Sequence, residues 1–203
     1  MGQDETDDIV QIRMTLRDVE PAVWRQVRVP ADFPLRRLHD VIQAVMCWLD
    51  YHLHEFKIGD RLYGQPEIAG GDHVGPRLYS DRNTRLTQLL RRGIDRFTYT
   101  YDFGDEWRLD IEIEETARAE PGVDYPVLVA GERRAPPEDS GGPFGFMNFV
   151  DAISDPDHPD HEDLMDWYGR PFDSEDMDLD TVEAVLSRIR GNRRRGSGKK
   201  KRA

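Results

Sequence analysis

The sequence has one cysteine, no long apolar run and no glycine motif for binding phosphate. Cys47 has no partner for an intrachain disulfide, which favours a reducing, cytoplasmic location. No apolar stretch approaches the roughly 20 residues of a membrane helix, so no membrane association is expected. Residues 64–84 are rich in glycine and proline, which predicts a long loop, but they match neither G-x-x-x-x-G-K-[ST] nor G-x-G-x-x-G. The sequence therefore gives no support to a disulfide-stabilised protein, a membrane protein or a nucleotide-binding loop.

Charge is divided unevenly along the chain. The net charge is −12, from 28 basic and 40 acidic side chains. Nine of the basic residues lie in 188–203, which contains no acid, so 19 bases face 40 acids in the rest of the chain. An acidic body repels phosphate backbones over most of its surface, whereas the basic tail attracts them.

Residues 35–59 form the segment around which the rest is organised. Apolar residues recur with the 3.6-residue period of a helix that has one buried face. They are Leu38, Val41, Ile42, Val45, Met46 and Leu49. After Asp50 the period becomes two, which predicts a strand with His52, His54 and Phe56 on one face.

Alternating apolar residues predict strands on both sides of this helix. Residues 10–16 and 23–29 form two of them, and 97–101 and 107–113 form a hairpin around Gly104. Helical patterns then occupy 146–154, 162–168 and 179–189. We predict an α+β fold in which a mostly antiparallel, roll-like sheet packs on a central helix, with a helical C-terminal part. The predicted organisation is a polar leader at 1–8, one domain at 9–190 and a disordered basic tail at 191–203.

Five ordered motifs resemble one known family. They are LRDVEPAVWRQVRVP, LHDVIQAVMCWLDYHLHEFKIG, YTYDFGDEWRLDIEIE, GERRAPPEDSGGPFGF and DPDHPDHEDLMDWYGRPFD. In this order they are similar to the plasmid pRiA ORF-three-like family, over about residues 10–190. Members are also described as passenger proteins of insertion elements. The resemblance implies a compact α+β domain and a context of plasmids or mobile elements, but no particular reaction or cofactor. Many relatives have Cys where this chain has Ala135, so if that thiol is a metal ligand in those relatives, this chain lacks the ligand.

The first candidate site combines histidines with loop carboxylates. If His52 and His54 leave the same face of a strand, they can bind one divalent metal ion. Asp102 and Asp105, in the hairpin loop, would complete the shell. The alternatives are that the histidines bond to nearby backbone or carboxylate groups, and that the aspartates form Asx turns. His39 is a weaker candidate near His52.

The second candidate site is the loop PPEDSGGP at 136–143. Glu138 and Asp139 are predicted to face a ligand or partner, and Gly141 and Gly142 allow a close backbone approach. A loop that only packs the helical part on the sheet is the alternative. Convergence of His52, His54, Asp102 and Glu138 on one cleft would favour an enzyme, whereas scattered side chains would favour a binding module.

The basic tail is the third candidate. Its Lys and Arg side chains suit salt-sensitive, sequence-independent contact with nucleic acid. The residues concerned are Arg193, Arg194, Arg195, Lys199, Lys200, Lys201 and Arg202. A solvated terminal extension is the alternative.

These observations favour a non-enzymatic accessory module of plasmids or mobile elements that contacts a protein or nucleic-acid partner. The alternative function is that of a metal-dependent, hydrolase-like enzyme with a His and carboxylate cleft. Whether the protein is an enzyme is left open by the sequence.

Overall fold

One sheet and five helices make up the part of the chain that the computed structural model describes, residues 8–66 and 77–200, with side chains described to residue 191. The strands are β1 Asp8–Leu16, β2 Trp24–Pro30, β3 His54–Ile58, β4 Arg61–Gly64, β5 Leu78–Ser80, β6 Arg96–Tyr101, β7 Trp107–Arg118 and β8 Val127–Glu132. The helices are α1 Leu35–Met46, α2 Leu86–Leu90, α3 Gly142–Ser154, α4 His161–Tyr168 and α5 Leu179–Lys200.

The sheet has the strand order β5-β4-β3-β6-β7-β1-β2-β8. All neighbouring pairs are antiparallel except β4 and β5. The three-residue strand β5 forms one edge, and β8 forms the other with a register shift opposite Gln26 and Val27. This architecture confirms the predicted α+β class with a mostly antiparallel sheet.

Helix α1 is buried, as its apolar period predicts. Leu38, Val41, Ile42 and Val45 have no exposed surface. They join one hydrophobic core with the inward side chains of the strands, among them Ile12, Met14, Phe56, Tyr99 and Leu109. Alternation with period two places these strand residues on the core face of the sheet.

Helix α1 ends earlier than its apolar pattern suggests. Cys47 adopts a left-handed conformation with φ of 55° and terminates the helix after Met46. Leu49 therefore leaves the core face and is exposed, although it fits the helical period. The chain from Cys47 to Leu53 instead becomes a loop at one end of the sheet.

Two segments differ from the sequence-based organisation. Strand β5 lies within the stretch 64–84 for which a long loop is predicted. Helix α5 continues past residue 190, where a disordered tail is predicted to begin. The helix extends there because arginine and lysine have high helix propensity. Residues 1–7, Lys201 and Arg202, and the tail side chains from residue 192, lie outside the described residues, so the nucleic-acid role of the tail stays a prediction. Among the described helices, none is long and apolar enough to cross a membrane.

Candidate functional site

Three loops meet at the end of the sheet where β3 begins. Strand β3 pairs with β6 so that His54 lies opposite Tyr101, which brings the loop containing His52 beside the β6–β7 hairpin. The loop before α3 is attached to both. Trp48 Nε1 donates a hydrogen bond to the Pro136 carbonyl at 3.0 Å, and the Gly141 amide donates to Asp105 Oδ2 at 3.0 Å.

Four side chains from these loops form what we call the His52 cluster: His52, Asp102, Glu138 and Asp139. His52 Nε2 lies 3.1 Å from Asp139 Oδ1, 3.6 Å from Asp102 Oδ2 and 3.9 Å from Glu138 Oε2. Both His52 Nε2 and Glu138 Oε2 are buried atoms without a hydrogen bond to any described residue. The direction of the 3.1 Å approach of Asp139 does not suit a hydrogen bond. Unsatisfied buried polar atoms are rare and require an explanation.

Glu138 is held by its other oxygen. Its Oε1 accepts hydrogen bonds from the Leu49 amide at 2.7 Å and from the Tyr101 hydroxyl at 2.9 Å. The Tyr101 oxygen in turn accepts the Tyr51 amide at 3.0 Å. Burial, and then the bond to Glu138, raise the pKa of Tyr101, so the phenol stays protonated and remains a donor. These bonds fix Glu138 with Oε2 towards His52.

Asp102 has two roles, one for each oxygen. It adopts a left-handed conformation with φ of 55°, and its Oδ1 accepts the Gly104 amide at 2.8 Å in an Asx turn. Its Oδ2 is the oxygen nearest His52. The Asx turn is therefore present, and the role of Asp102 as a metal ligand stays a prediction. Asp105 binds the Gly141 amide and connects two loops, and it is not part of the cluster.

The His52 cluster has the dimensions of a metal site. The nearest donor atoms of His52, Asp102 and Asp139 all lie within 4.8 Å of one another. A transition metal bound at 2.0–2.2 Å holds its ligands about 3 to 4 Å apart, so small side-chain movements would suffice. Asp102 is 90% buried whereas Asp139 is 66% exposed, so the site opens to solvent on the side of Asp139.

A second group, the buried histidine pair, contains His39 and His54. Their rings stack with centroids 3.7 Å apart, and both side chains are 1% exposed. His54 Nε2 lies 3.0 Å from Asp81 Oδ2, and Asp81 is fully buried. His54 thus belongs to the core, and the structure does not bring it to His52.

His39 takes part in a closed ring of hydrogen bonds. Gln43 Nε2 donates to the Tyr99 hydroxyl at 3.1 Å, so the hydroxyl proton is directed to His39 Nδ1 at 2.9 Å. His39 Nε2–H then donates to Asp50 Oδ1 at 2.9 Å, and the Asp50 amide donates to Gln43 Oε1 at 2.9 Å. Burial lowers the pKa of His39 to about 4, although the hydrogen bond to Asp50 opposes this shift. The imidazole of His39 is therefore neutral, as this pattern of hydrogen bonds requires.

The nearest donor atoms of His39, Asp50 and His54 also lie within 4.8 Å of one another. Both ring nitrogens of His39 and Nε2 of His54 are already hydrogen-bonded. A metal would have to break this network, so we assign the buried histidine pair a structural role.

The sequence-predicted residues therefore separate into two groups. His52, Asp102, Glu138 and Asp139 come together, whereas His54 and Asp105 serve other contacts. Gly141 and Gly142 lie against the hairpin at Asp105, as a close backbone approach requires. Tyr101, Asp50 and Asp81 were not identified from the sequence. Tyr101 resembles any inward residue of an aromatic strand, and Asp81 lies in a loop without a distinguishing pattern.

Comparison with known proteins places the chain in a family. Residues 8–181 match the family model described as plasmid pRiA4b ORF-3-like protein. The uncharacterized protein y4hQ of Sinorhizobium fredii is 39% identical over 181 residues, which are 89% of this chain and 88% of that protein. The crystal structure of a protein of unknown function, MM3350 from Methanosarcina mazei Go1, is similar with a TM-score of 0.75 and 34% identity, over 83% of this chain and 94% of that one. Because the family model covers most of its length, the chain belongs to the plasmid pRiA4b ORF-3-like family.

Proposed function

We propose that the His52 cluster binds one divalent metal ion and that the protein is a metal-dependent, hydrolase-like enzyme. The supporting observation is the buried Nε2 of His52, which has three carboxylates within 3.9 Å and no hydrogen bond to a described residue. A cation would satisfy this nitrogen and Glu138 Oε2 together, and it would offset the repulsion among the carboxylates.

The donor set indicates the kind of ion. One imidazole and up to three carboxylates suit Mn²⁺ or Zn²⁺ better than a thiol-binding metal. The exposed side at Asp139 leaves room for water or substrate, as catalytic metal sites require. A bound divalent ion supplies a Lewis acid and an activated water molecule. Tyr101 and the Leu49 amide would hold Glu138 in place during the reaction.

Metal binding is tested by thermal unfolding of the dialysed protein with Zn²⁺, Mn²⁺, Mg²⁺ or Ni²⁺. At a hundredfold excess over Kd, a bound ion stabilises the folded state by about 2.7 kcal/mol, which raises Tm. His52→Ala should remove this rise. His158→Ala is the matched control, because His158 hydrogen-bonds the Asp160 amide outside the cluster. A Tm that none of the four ions changes would eliminate the proposed site.

Catalysis needs its own measurement. The metal-loaded protein is assayed with p-nitrophenyl acetate and bis-p-nitrophenyl phosphate, beside His52→Ala. Metal-dependent turnover that the variant lacks supports an enzyme. Binding of the ion without turnover of either ester would count against the hydrolase.

A second function, an accessory module that contacts a protein partner, is favoured by exposed apolar side chains on two of these loops and in the first turn of α3. Phe144 is 85% exposed and Tyr51 is 71% exposed, and Leu49 and Phe103 are also exposed. Apolar groups clustered at a surface are typical of interaction sites. A pull-down from the host should recover a partner with the wild type and not with the Tyr51→Ser, Phe144→Ser variant, and equal recovery would exclude this surface.

A nucleic-acid partner for the basic tail remains a further prediction. Deletion of 191–203 should abolish DNA binding at low salt, as measured by fluorescence anisotropy. Affinity that persists after the deletion would place DNA binding on the acidic body instead.

A further inference from the structure

A cavity of about 240 Å³ opens next to the His52 cluster. It lies between the C-terminal end of α1, the loop that contains Glu138 and the C-terminal end of α4. Glu138 belongs to both places, since it lines the cavity and directs Oε2 to His52. A group bound in the cavity would therefore lie against Glu138, the residue that the cavity shares with the cluster.

The wall of the cavity is largely apolar. It includes Cys47, Leu49, Trp167, Tyr168 and Met177. Burial raises the pKa of the Cys47 thiol, so this part of the wall is uncharged. Pockets for drug-sized ligands measure roughly 300–1,000 Å³, so this smaller cavity suits a group of about one large side chain.

The wall carries two arginines, Arg134 and Arg170, and two carboxylates, Glu138 and Asp178. Arg134 Nη2 pairs with Asp178 Oδ2 at 2.9 Å, and Glu138 is directed to the cluster. Arg170 lies over the Tyr168 ring, 5.1 Å from its centroid, and its charge acts on Asp178 as well as on the Cys47 thiol. A guanidinium beside an apolar pocket matches a carboxylate attached to an apolar group.

We propose that this cavity binds the side chain of an N-acylated apolar or aromatic amino acid, with its free carboxylate towards Arg170. This inference rests on the proposed metal centre, and it names the substrate class of that centre. An amino acid placed in this way would have its acyl–nitrogen bond on the side of Glu138, which connects the cavity to the cluster. The C-terminal residue of a peptide and a free N-acyl amino acid share this chemistry.

The probe is N-acetyl-L-phenylalanine, titrated into the full chain with and without Mn²⁺. Trp167 lies in the cavity wall, so binding should change tryptophan fluorescence, and Trp167→Phe should remove most of that change. The amide analogue, N-acetyl-L-phenylalaninamide, should bind at least tenfold more weakly because it lacks the carboxylate. Arg170→Gln should reduce this preference to about one, while Arg96→Gln, at a surface pair with Glu112, should preserve it.

Equal affinity for acid and amide, or a preference that Arg170→Gln leaves intact, would overturn the inference. Mn²⁺ binding without probe binding would refute the substrate class and leave the metal centre standing. Probe binding without binding of any ion would refute the metal centre alone. The tripeptide Gly-Gly-Phe distinguishes the two sources: tighter binding than the acetyl probe indicates a peptide C-terminus, and weaker binding indicates a free N-acyl amino acid.

Discussion

His52, in the His52 cluster, and His54, in the buried histidine pair, are two residues apart in sequence but differ in whether their ring nitrogens have hydrogen-bond partners. In the pair, His39 belongs to a closed ring of hydrogen bonds and His54 has a buried carboxylate partner. In the cluster, Nε2 of His52 faces three carboxylates without a hydrogen bond to a described residue. Burial alone does not make a histidine a ligand candidate. The difference is whether the surrounding protein already satisfies its ring nitrogens.

The largest expected effect separates the two regions directly. His54→Ala removes a buried ring from the stack with His39 and leaves Asp81 buried without its partner, so we expect a loss of about 3 to 4 kcal/mol in the free energy of unfolding. The metal-induced rise in Tm should persist, because His54 is not in the cluster. Urea unfolding measures the loss. A stable variant that no longer responds to metal would reverse the assignment of the two histidines.

Acid should weaken the buried pair. The folded pKa of His39 is about 4 against 6.5 for a free histidine, so the unfolded chain takes up this proton first as pH falls. The contribution of neutral His39 to the free energy of unfolding is fully present above pH 6.5 and declines towards pH 4, by at most about 3 kcal/mol. Asp50, whose pKa is lowered to about 2 by bonds from His39 and Arg36 that outweigh its burial, loses its contribution only below about pH 4. Urea unfolding across this range should give a flatter profile for His39→Gln, and identical profiles would contradict the neutral, buried state of His39.

Gly142 tests how the loops of the cluster are joined. Its φ is +69°, and an added Cβ would lie 2.6 Å from the Asp105 carbonyl oxygen. Gly142→Ala should cost about 2 to 3 kcal/mol and should also weaken metal binding, because the loop of Glu138 must move. Gly141→Ala is the control, since its Cβ would meet nothing closer than 3.6 Å and only the positive φ of 84° opposes it. Similar losses in unfolding experiments on both variants would argue against a close contact at Asp105.

The smallest expected effect concerns Tyr101. Tyr101→Phe removes the hydroxyl that holds Glu138 and accepts the Tyr51 amide, so metal affinity should fall about tenfold. Stability should fall by only about 1 kcal/mol. Calorimetric titration with Mn²⁺ measures the affinity, and Tyr51→Phe, at an exposed ring, should match the wild type. An unchanged affinity in Tyr101→Phe would show that Glu138 needs no such support.

Local patterns in the sequence predicted most of the fold. The buried face of α1 and the hairpin of β6 and β7 follow from apolar periods of 3.6 and two. The apolar patterns did not predict where α1 ends and where β3 begins. Leu49 continues the helical period but follows the left-handed Cys47, and His52 continues the alternation of β3 but precedes that strand.

The site was predictable only in part, since its members come from distant parts of the chain. Residue type and loop composition identified His52, Asp102, Glu138 and Asp139 as candidates. Their meeting depends on the pairing of β3 with β6 and on the bond from Trp48 to Pro136, which no local pattern encodes. The distinction between His52 and His54 depends on Asp81, which belongs to a segment where the sequence predicts only a loop.

The two margins of the sheet have a consequence for self-association. One margin is a strand of only three residues, and the other interrupts its regular ladder with a register shift. Short or irregular margins offer a poor template for adding a strand from another molecule. They therefore protect the sheet from pairing margin to margin into fibrils. Copies of this protein that meet in solution should therefore join through side chains rather than by extending the sheet.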